Sequence, residues 1–347
     1  MPVFDTSNWG LTQTILVFLI ASLAIGIAGT RLTRIADRLA DLTGMGEAIF
    51  GAVLLGAATS LSGSVTSMVT AYQGFPALAV SNSVGGIAAQ TTFLVLADLC
   101  YRKANLEHAA ASLENLVQAA LLMVLLCIPL LTALTPAISF AGVHPASIVI
   151  LVVYLTGLHL MKQARSAPLW HPRQTSATRL DEPEESATDA KGQLRVWLEF
   201  GFLVVLLACA GLLVAKTGIG LVEQTSLSET VVGFLFTAVA TSLPELVTTV
   251  AAVRQGALTL AVSGIIGGNT FDVLFLTFSD ISYRQGSIYH AIGARELFII
   301  SVCLLLTGII LLGLLSRQRR GPANIGFESV LVLLVYLASL AYLFSTA

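Results

Sequence analysis

The chain has 347 residues, of which 56% are hydrophobic and only 11% are charged, and its formal net charge is −2. A soluble domain carries about 25% charged residues, so this chain has too few charges to cover a water-facing surface, and we expect it to lie in a lipid bilayer. The slightly negative net charge also argues against nucleic acid as a partner.

Ten apolar runs follow one another along the chain, and each is long enough to cross a bilayer as a helix. They predict an all-α integral membrane protein with ten transmembrane helices. The predicted spans are 11–30, 46–71, 77–99, 110–134, 146–163, 196–215, 228–252, 258–281, 293–315 and 325–345.

One connection between these spans is long and polar. Residues 164–193 contain three prolines and the acidic run LDEPEESATD, which is typical of a flexible linker. The sequence therefore predicts three parts. They are an N-terminal five-helix half at 1–163, a linker at 164–195 and a C-terminal five-helix half at 196–347.

The basic residues predict the orientation of the chain, because cytoplasmic loops are enriched in Lys and Arg. With ten spans, fifteen of the eighteen Lys and Arg residues fall on one side, and only Lys216, Arg284 and Arg295 fall on the other. The crowded side should be cytoplasmic, so both termini should lie outside and the linker inside. We expect the protein in the cytoplasmic (inner) membrane of a prokaryote.

The two halves are similar in sequence. Residues 41–114 align without a gap with 223–296, at a constant offset of 182, and 25 of the 74 positions are identical. Because each half has five spans, an odd number, the second copy must enter the membrane from the opposite side. Inverted repeats of this kind build secondary transporters, whose substrate site lies near the bilayer midplane between the repeats.

Two polar groups interrupt the apolar spans of the second half. Thr241 and Glu245 are four residues apart, and Asn269 and Asp272 are three apart, so each pair shares one helix face. Pro244 cannot donate a backbone hydrogen bond, which favours a broken helix beside Glu245. Carboxylates at membrane depth are costly and are by default functional, and this set of oxygen atoms suits a hard cation such as Ca²⁺ or Na⁺.

These stretches carry a resemblance to a known family. The segment ETVVGFLFTAVATSLPELVTTVAAVRQG, followed by LAVSGIIGGNTFDVLFL, resembles the calcium/cation antiporter superfamily, that is, the sodium/calcium exchanger membrane-domain family. The resemblance implies a ten-helix antiporter, with Glu245 as a central ion ligand and Asp272 as the second acidic ligand. It also implies that Thr241, Ser242 and Asn269 lie beside them.

The first half departs from the family pattern. Where the family has SLPEL, this chain reads SLSGS, so Gly63 stands at the position of Glu245, and Gln90 stands at the position of Asp272. Thr59, Ser60 and Gln90 complete the candidate ion site from this half. Gly63 supplies no side chain, and we expect the space it leaves to admit a hydrated ion or a larger substrate.

A second polar group recurs in both halves near predicted helix ends. Two interpretations stay open: helix-end ion pairs that anchor the structure, or gates and proton relays that act in transport. The group comprises Asp98, Arg102, His108 and Glu114 in the first half and Asp280, Arg284, His290 and Glu296 in the second.

The leading hypothesis is a secondary antiporter that exchanges Ca²⁺ or another cation for H⁺ or Na⁺ by alternating access. One alternative is a repurposed member that carries a monovalent cation, or a larger organic or metal-complexed solute, against H⁺ or Na⁺. Another is a membrane sensor or partner protein that does not transport, with the acidic linker as its interaction surface. No enzyme motif and no motif for a resident cofactor is present. The expected partners are therefore lipid and the transported solute, and the sequence names no protein partner.

Overall fold

The structure is a computed structural model that describes residues 9–43, 57–101, 105–110, 112–166, 190–318 and 326–346. Within these ranges almost all regular structure is helical. The helices are α1 (Leu11–Thr43), α2 (Leu61–Tyr72), α3 (Pro76–Cys100), α4 (Leu106–Ala109), α5 (Leu113–Thr132), α6 (Pro145–Ser166), α7 (Ala190–Gln224), α8 (Glu229–Thr241), α9 (Leu243–Gln255), α10 (Leu258–Asp272), α11 (Leu274–Ser282), α12 (Ile288–Ala291), α13 (Ala294–Ser316) and α14 (Phe327–Ser345).

The fold is all-helical, as the sequence predicts. In the described part of the chain, eight helices are long and apolar enough to cross a membrane, and α8 with α9 forms a ninth candidate span bent by 48°. The predicted span 46–71 lies partly outside the described residues, which contribute its end as residues 57–59 and α2.

Two helices run well beyond their predicted spans. Helix α1 has 33 residues and α7 has 35, so each is about 50 Å long, whereas the hydrocarbon core is about 30 Å thick. The extra turns of α1 alternate arginines with buried Leu32, Ala36 and Leu39, so this helix stays amphipathic past the membrane. The Arg31 Nε atom lies 2.5 Å from the Glu199 carboxylate of α7, which ties the two helices together.

Helices extend into both ends of the range predicted as a linker. Helix α6 continues to Ser166 and α7 begins at Ala190, so both ends of the range 164–195 are helical. The acidic run lies between these helices, outside the described residues.

Helices α3, α10 and α11 form the centre of the bundle. In the most apolar window of α3, 83% of residues are buried, against 33% for α1 and for α7. A helix that is apolar on every face belongs inside a bundle, and small residues let its neighbours approach closely. A Cβ atom added at Gly85 would lie 2.7 Å from the Cα of Phe234 in α8, so a glycine is needed where these backbones meet.

Candidate functional site

A break between α8 and α9 positions the first acidic residue. Helix α8 contains a π-helical stretch at Val232–Thr237 and ends at Thr241, and α9 begins directly after Ser242. Pro244 falls in the first turn of α9, where its missing N–H leaves no hydrogen bond unmade. Glu245 follows in the same turn, where the positive end of the helix dipole favours a negative charge.

Glu245 is buried in the middle of the bundle. Its side chain is only 4% exposed, and neither carboxylate oxygen makes a hydrogen bond of standard geometry with any described residue. The Thr59 hydroxyl, at the turn before α2, lies within hydrogen-bonding reach of the carboxylate. A buried carboxylate with so few donors is unfavourable, so this group calls for a cation or a proton.

Asp272 faces Glu245 across the site and is held by the first half of the chain. It is the last residue of α10, and Val273, which keeps helical backbone angles, is the one residue between α10 and α11. Ser60 Oγ donates to Oδ1 at 2.6 Å, and Gln90 Nε2 donates to Oδ2 at 2.7 Å. The same Gln90 nitrogen also lies 3.2 Å from Ser242 Oγ, so Gln90 joins both halves.

Amide oxygens complete the set of acceptors at the site. Asn269 donates through Nδ2 to Thr91 Oγ1 at 3.0 Å, which leaves its Oδ1 without a donor among the described residues. Gln90 Oε1 is likewise buried and has no hydrogen-bond donor in the described structure. The carboxylate oxygens of Glu245 and these two amide oxygens are therefore free to bind a hard cation.

All eight predicted ion-site residues are buried, and they lie at the turn before α2, at the break between α8 and α9, or on helices α3 and α10. Thr241 donates its hydroxyl to the Thr237 carbonyl at 2.9 Å, and Ser62 Oγ lies 3.4 Å from the Thr241 carbonyl. The predicted residues are Thr59, Ser60, Gln90, Thr241, Ser242, Glu245, Asn269 and Asp272.

The sequence analysis missed two residues that support the site. Ser83 Oγ donates to the backbone carbonyl of Asp272 at 2.8 Å, and Thr91 accepts from Asn269. Both are polar residues in an apolar helix, and this pattern in the sequence could have indicated them as site residues. The repeat comparison hid them, because the matching positions of the second half are Ile265 and Val273.

The expectation of open space at Gly63 is wrong. A Cβ atom added at Gly63 would lie 2.7 Å from Phe275 Cε2 and 3.3 Å from Phe275 Cζ. The Phe275 ring therefore fills the place where the first half lacks a carboxylate. The site contains two acidic side chains and an aromatic wall, and no group of three or more His, Cys, Asp or Glu residues suited to a metal occurs in the described part of the chain.

The second polar group ties loops to helix ends. Asp98 accepts hydrogen bonds from Leu106 N at 2.9 Å, Gly326 N at 3.2 Å and Ser329 Oγ at 2.9 Å. Asp280 accepts from Ile288 N at 3.0 Å, His144 N at 2.7 Å and Ser147 Oγ at 2.7 Å. The donors of the two aspartates differ in number by 182 in every case, so the repeat extends into the last helix of each half.

The predicted helix-end ion pair between Asp280 and Arg284 is not formed. The Asp280 carboxylate is occupied by its three donors, and Arg284 is exposed. The structure shows one salt bridge in the described residues, between Arg31 and Glu199. Arg102, the matching partner of Asp98, lies outside the described residues.

The remaining members of this group also contact backbone or helix ends. His108 Nδ1 lies 2.6 Å from the carbonyl of Arg317, and His290 Nε2 lies 2.7 Å from the carbonyl of Thr135. Glu296 caps α13 by accepting from Gly293 N at 2.8 Å. Glu114 lies in the first turn of α5, where the helix dipole favours an acid.

Comparison with known proteins identifies the family. The family model described as sodium/calcium exchanger protein matches residues 13–161 and 195–345, which together make up most of the chain. The chain belongs to the sodium/calcium exchanger family.

Curated relatives match this exchanger-family chain over part of its length. It is 31% identical over 157 residues to the sodium/calcium exchanger MaX1 of Methanosarcina acetivorans, a match that covers 42% of this chain and 43% of that protein. It is 30% identical over 148 residues to the inner membrane protein YrbG of Escherichia coli, which covers 43% of this chain and 44% of that protein. The matches thus span less than half the length of these relatives.

Solved structures share the fold. The H⁺/Ca²⁺ exchanger CAX superposes with a TM-score of 0.69 at 14% identity, covering 94% of this chain and 82% of that one. The exchanger NCX_Mj, from crystals soaked with Na⁺ and Sr²⁺, gives a TM-score of 0.61 at 16% identity, covering 96% and 99%. At these identities the likeness establishes an exchanger-type fold.

Proposed function

We propose that this protein is a secondary active antiporter that exchanges Ca²⁺ or another cation for H⁺ or Na⁺ by alternating access. One observation carries the proposal: Glu245, a buried carboxylate without a hydrogen bond of standard geometry to any described residue, lies near Asp272 beside the break between α8 and α9. Membership of the exchanger family supports it. In this proposal Glu245 is the central ligand, Asp272 is the second acidic ligand, and the hydroxyl and amide oxygens around them complete the coordination.

The burial of the two carboxyl groups supplies a physical basis for coupled exchange. Glu245 and Asp272 lie within electrostatic reach of each other. Two neighbouring carboxylates in a dry site are unfavourable unless a cation or protons neutralise them. A protein that changes conformation only when this charge is neutralised must carry one cation in one direction and another cation, or protons, in the other.

A monovalent cargo is a second candidate, and the first half of the site favours it. Gln90 replaces a carboxylate and directs an N–H group at Asp272, so the site has two formal negative charges and an amide that already engages one of them. Ca²⁺ takes six to eight oxygen ligands, most often with several carboxylates. The Phe275 ring at Gly63 argues against the larger organic or metal-complexed solute.

The placement in the membrane is also part of the proposal. We infer ten transmembrane helices in two inverted five-helix repeats, both termini outside, a cytoplasmic linker, and the inner membrane of a prokaryote. Arginine and lysine asymmetry supports the orientation, and the matched hydrogen bonds of Asp98 and Asp280 support the repeat. Those bonds also favour a structural role for the two aspartates over a role as gates.

Flux measurements in proteoliposomes test the proposal. We expect Ca²⁺ or Na⁺ movement that requires an opposing H⁺ or Na⁺ gradient, and we expect Glu245→Gln to reduce it by at least tenfold while the protein stays folded. Glu223→Gln is the matched control, because Glu223 is an exposed glutamate at the end of α7. If no cation moves under any gradient, the antiporter proposal fails and the non-transporting sensor or partner protein becomes the better hypothesis.

A further inference from the structure

A second group of buried acids lies away from Glu245 and Asp272, where the short helix α4 meets the start of α14. Glu107 and Glu328 have 0% exposure, and Asp98 has 1%. Asn105 donates through Nδ2 to Glu328 Oε1. One end of the molecule therefore buries three acidic side chains together.

The acids in this group differ in how they are satisfied. Asp98 accepts three hydrogen bonds from backbone and serine donors. In contrast, both carboxylate oxygens of Glu107 and Oε2 of Glu328 are buried without a donor in the described structure. The side-chain amide oxygen Oδ1 of Asn105, a residue 1% exposed, is also buried without a donor there. Acceptors therefore converge on this point and need a positively charged or proton-bearing group.

The surroundings of Glu328 leave no room for hydrating water on the side of α13. A Cβ atom added at Gly313 would lie 2.7 Å from Glu328 Cγ and 2.9 Å from its Cδ. Burial is the largest influence on Glu107, followed by the charges of Glu328 and Asp98. Together they raise the pKa of the Glu107 carboxyl well above its usual range.

The second half of the chain provides an internal comparison. Asp280 has the same three types of donor as Asp98, so the local structure is the same in both halves. The position of Glu107 is taken there by Tyr289, and the position of Glu328 is taken by Ala146. An aspartate with these three hydrogen bonds therefore forms without the two glutamates. Folding of this region does not explain why the first half has them.

We propose that Glu107 and Glu328 form a proton-binding site, separate from Glu245 and Asp272, in which the two carboxyl groups share one proton. The proton is covalently bound to one carboxyl oxygen and is directed at an oxygen of the other group. With one proton the pair carries a single negative charge, and without it two buried carboxylates repel each other.

The charged groups around the pair are known from the helices that pack there. Asp98 adds negative charge and favours retention of the proton. Asn105 donates to Glu328, and neither oxygen of Glu107 has a hydrogen bond of standard geometry to a described residue. The nearby basic residues are His108 and Arg317 at the end of α13, and His108 Nδ1 lies 2.6 Å from the Arg317 carbonyl. Loss of the proton should therefore separate α4 from the start of α14 and expose that end of α14 to solvent.

Infrared difference spectroscopy of the purified full-length protein tests the shared proton. At neutral pH we expect the band of a protonated carboxylic acid that is lost in Glu107→Gln and is the same band that is lost in Glu328→Gln. Glu223→Gln, at an exposed glutamate, should leave the spectrum unchanged. Two different bands lost from the two variants, or no band lost from either, would overturn the proposal.

A second pair of variants keeps the test valid if the amides do not fold. Glu107→Tyr with Glu328→Ala installs the residues that the other half uses at the same positions. We expect this double variant to fold and to lose the same band.

In the native chain, the amide hydrogen-exchange rate at the start of α14 should rise with pH by a factor at least tenfold larger than the rate at the start of α6. In the double variant, the rates at the two helices should rise by the same factor. Equal pH dependence at both helices in the native chain would contradict the proposal. Neither readout requires transport, so failure here is distinct from failure of the antiporter proposal.

Discussion

The contact between Gly63 and Phe275 gives the sharpest prediction about the candidate ion site. Gly63→Ala would place a methyl carbon 2.7 Å from Phe275 Cε2, about 1 Å inside the optimal separation of carbon atoms of roughly 3.5–4.0 Å. The ring has a neighbour that hinders its movement, because Phe271 packs edge-on against it with ring centroids 6.2 Å apart. We therefore expect a steric cost.

The size of this effect follows from the structure and from helix propensity. Overpacking of a dense core costs about 1–3 kcal/mol, which raises the unfolding constant roughly 5- to 150-fold. Alanine gains about 0.5–1 kcal/mol over glycine within a helix, and Gly63 lies inside α2. Gly264→Ala is the matched control, since Gly264 lies inside α10 and a Cβ atom there would have nothing within 4 Å.

Denaturant unfolding of the purified protein in detergent measures the difference between the two alanine variants. We expect Gly63→Ala to be less stable than Gly264→Ala by about 1–3 kcal/mol, and Phe275→Leu to remove most of that difference when combined with Gly63→Ala. A difference below about 0.5 kcal/mol, or strict additivity with Phe275→Leu, would refute the conclusion that Phe275 fills the place of the missing carboxylate.

Two further predictions concern the ends of the helices. Asp98→Ala and Asp280→Ala each leave two buried backbone N–H groups without their acceptor, so each should lower the free energy of unfolding by about 2 kcal/mol or more in the same assay. A loss below about 1 kcal/mol in either variant would argue against the structural role of these aspartates. Burial, and then the nearby charge of His290, lowers the pKa of His144 from 6.5, so its contribution to stability is full above that value and is lost as the pH falls through the folded-state pKa. His144→Gln should therefore flatten the fall in thermal stability below about pH 6.5, and an unchanged pH profile would contradict this.

The sequence by itself determined that the chain lies in a membrane, which family it belongs to, and which two acidic residues are candidate ion ligands. The low content of charged residues and the long apolar runs indicate a chain that spans a bilayer, and this inference does not depend on tertiary contacts. Unpaired backbone groups and charged groups are unfavourable in hydrocarbon. Glu245 and Asp272 stood out because a carboxylate in an apolar span has few structural uses. The repeat at an offset of 182 was visible because it is a property of residue identity alone.

Only the tertiary structure decided what surrounds those residues. Packing places Phe275 against Gly63, although the two are 212 residues apart and neither is unusual in its own helix. The hydrogen bonds of Asp280 go to His144, Ser147 and Ile288, not to the arginine one turn away, because backbone amides from another helix end reach the carboxylate first. The burial of Glu107 beside Glu328 was likewise invisible in the sequence, since it depends on how the chain at Asn105 and α4 meets the start of α14, and long-range packing has no period that a sequence pattern can reveal.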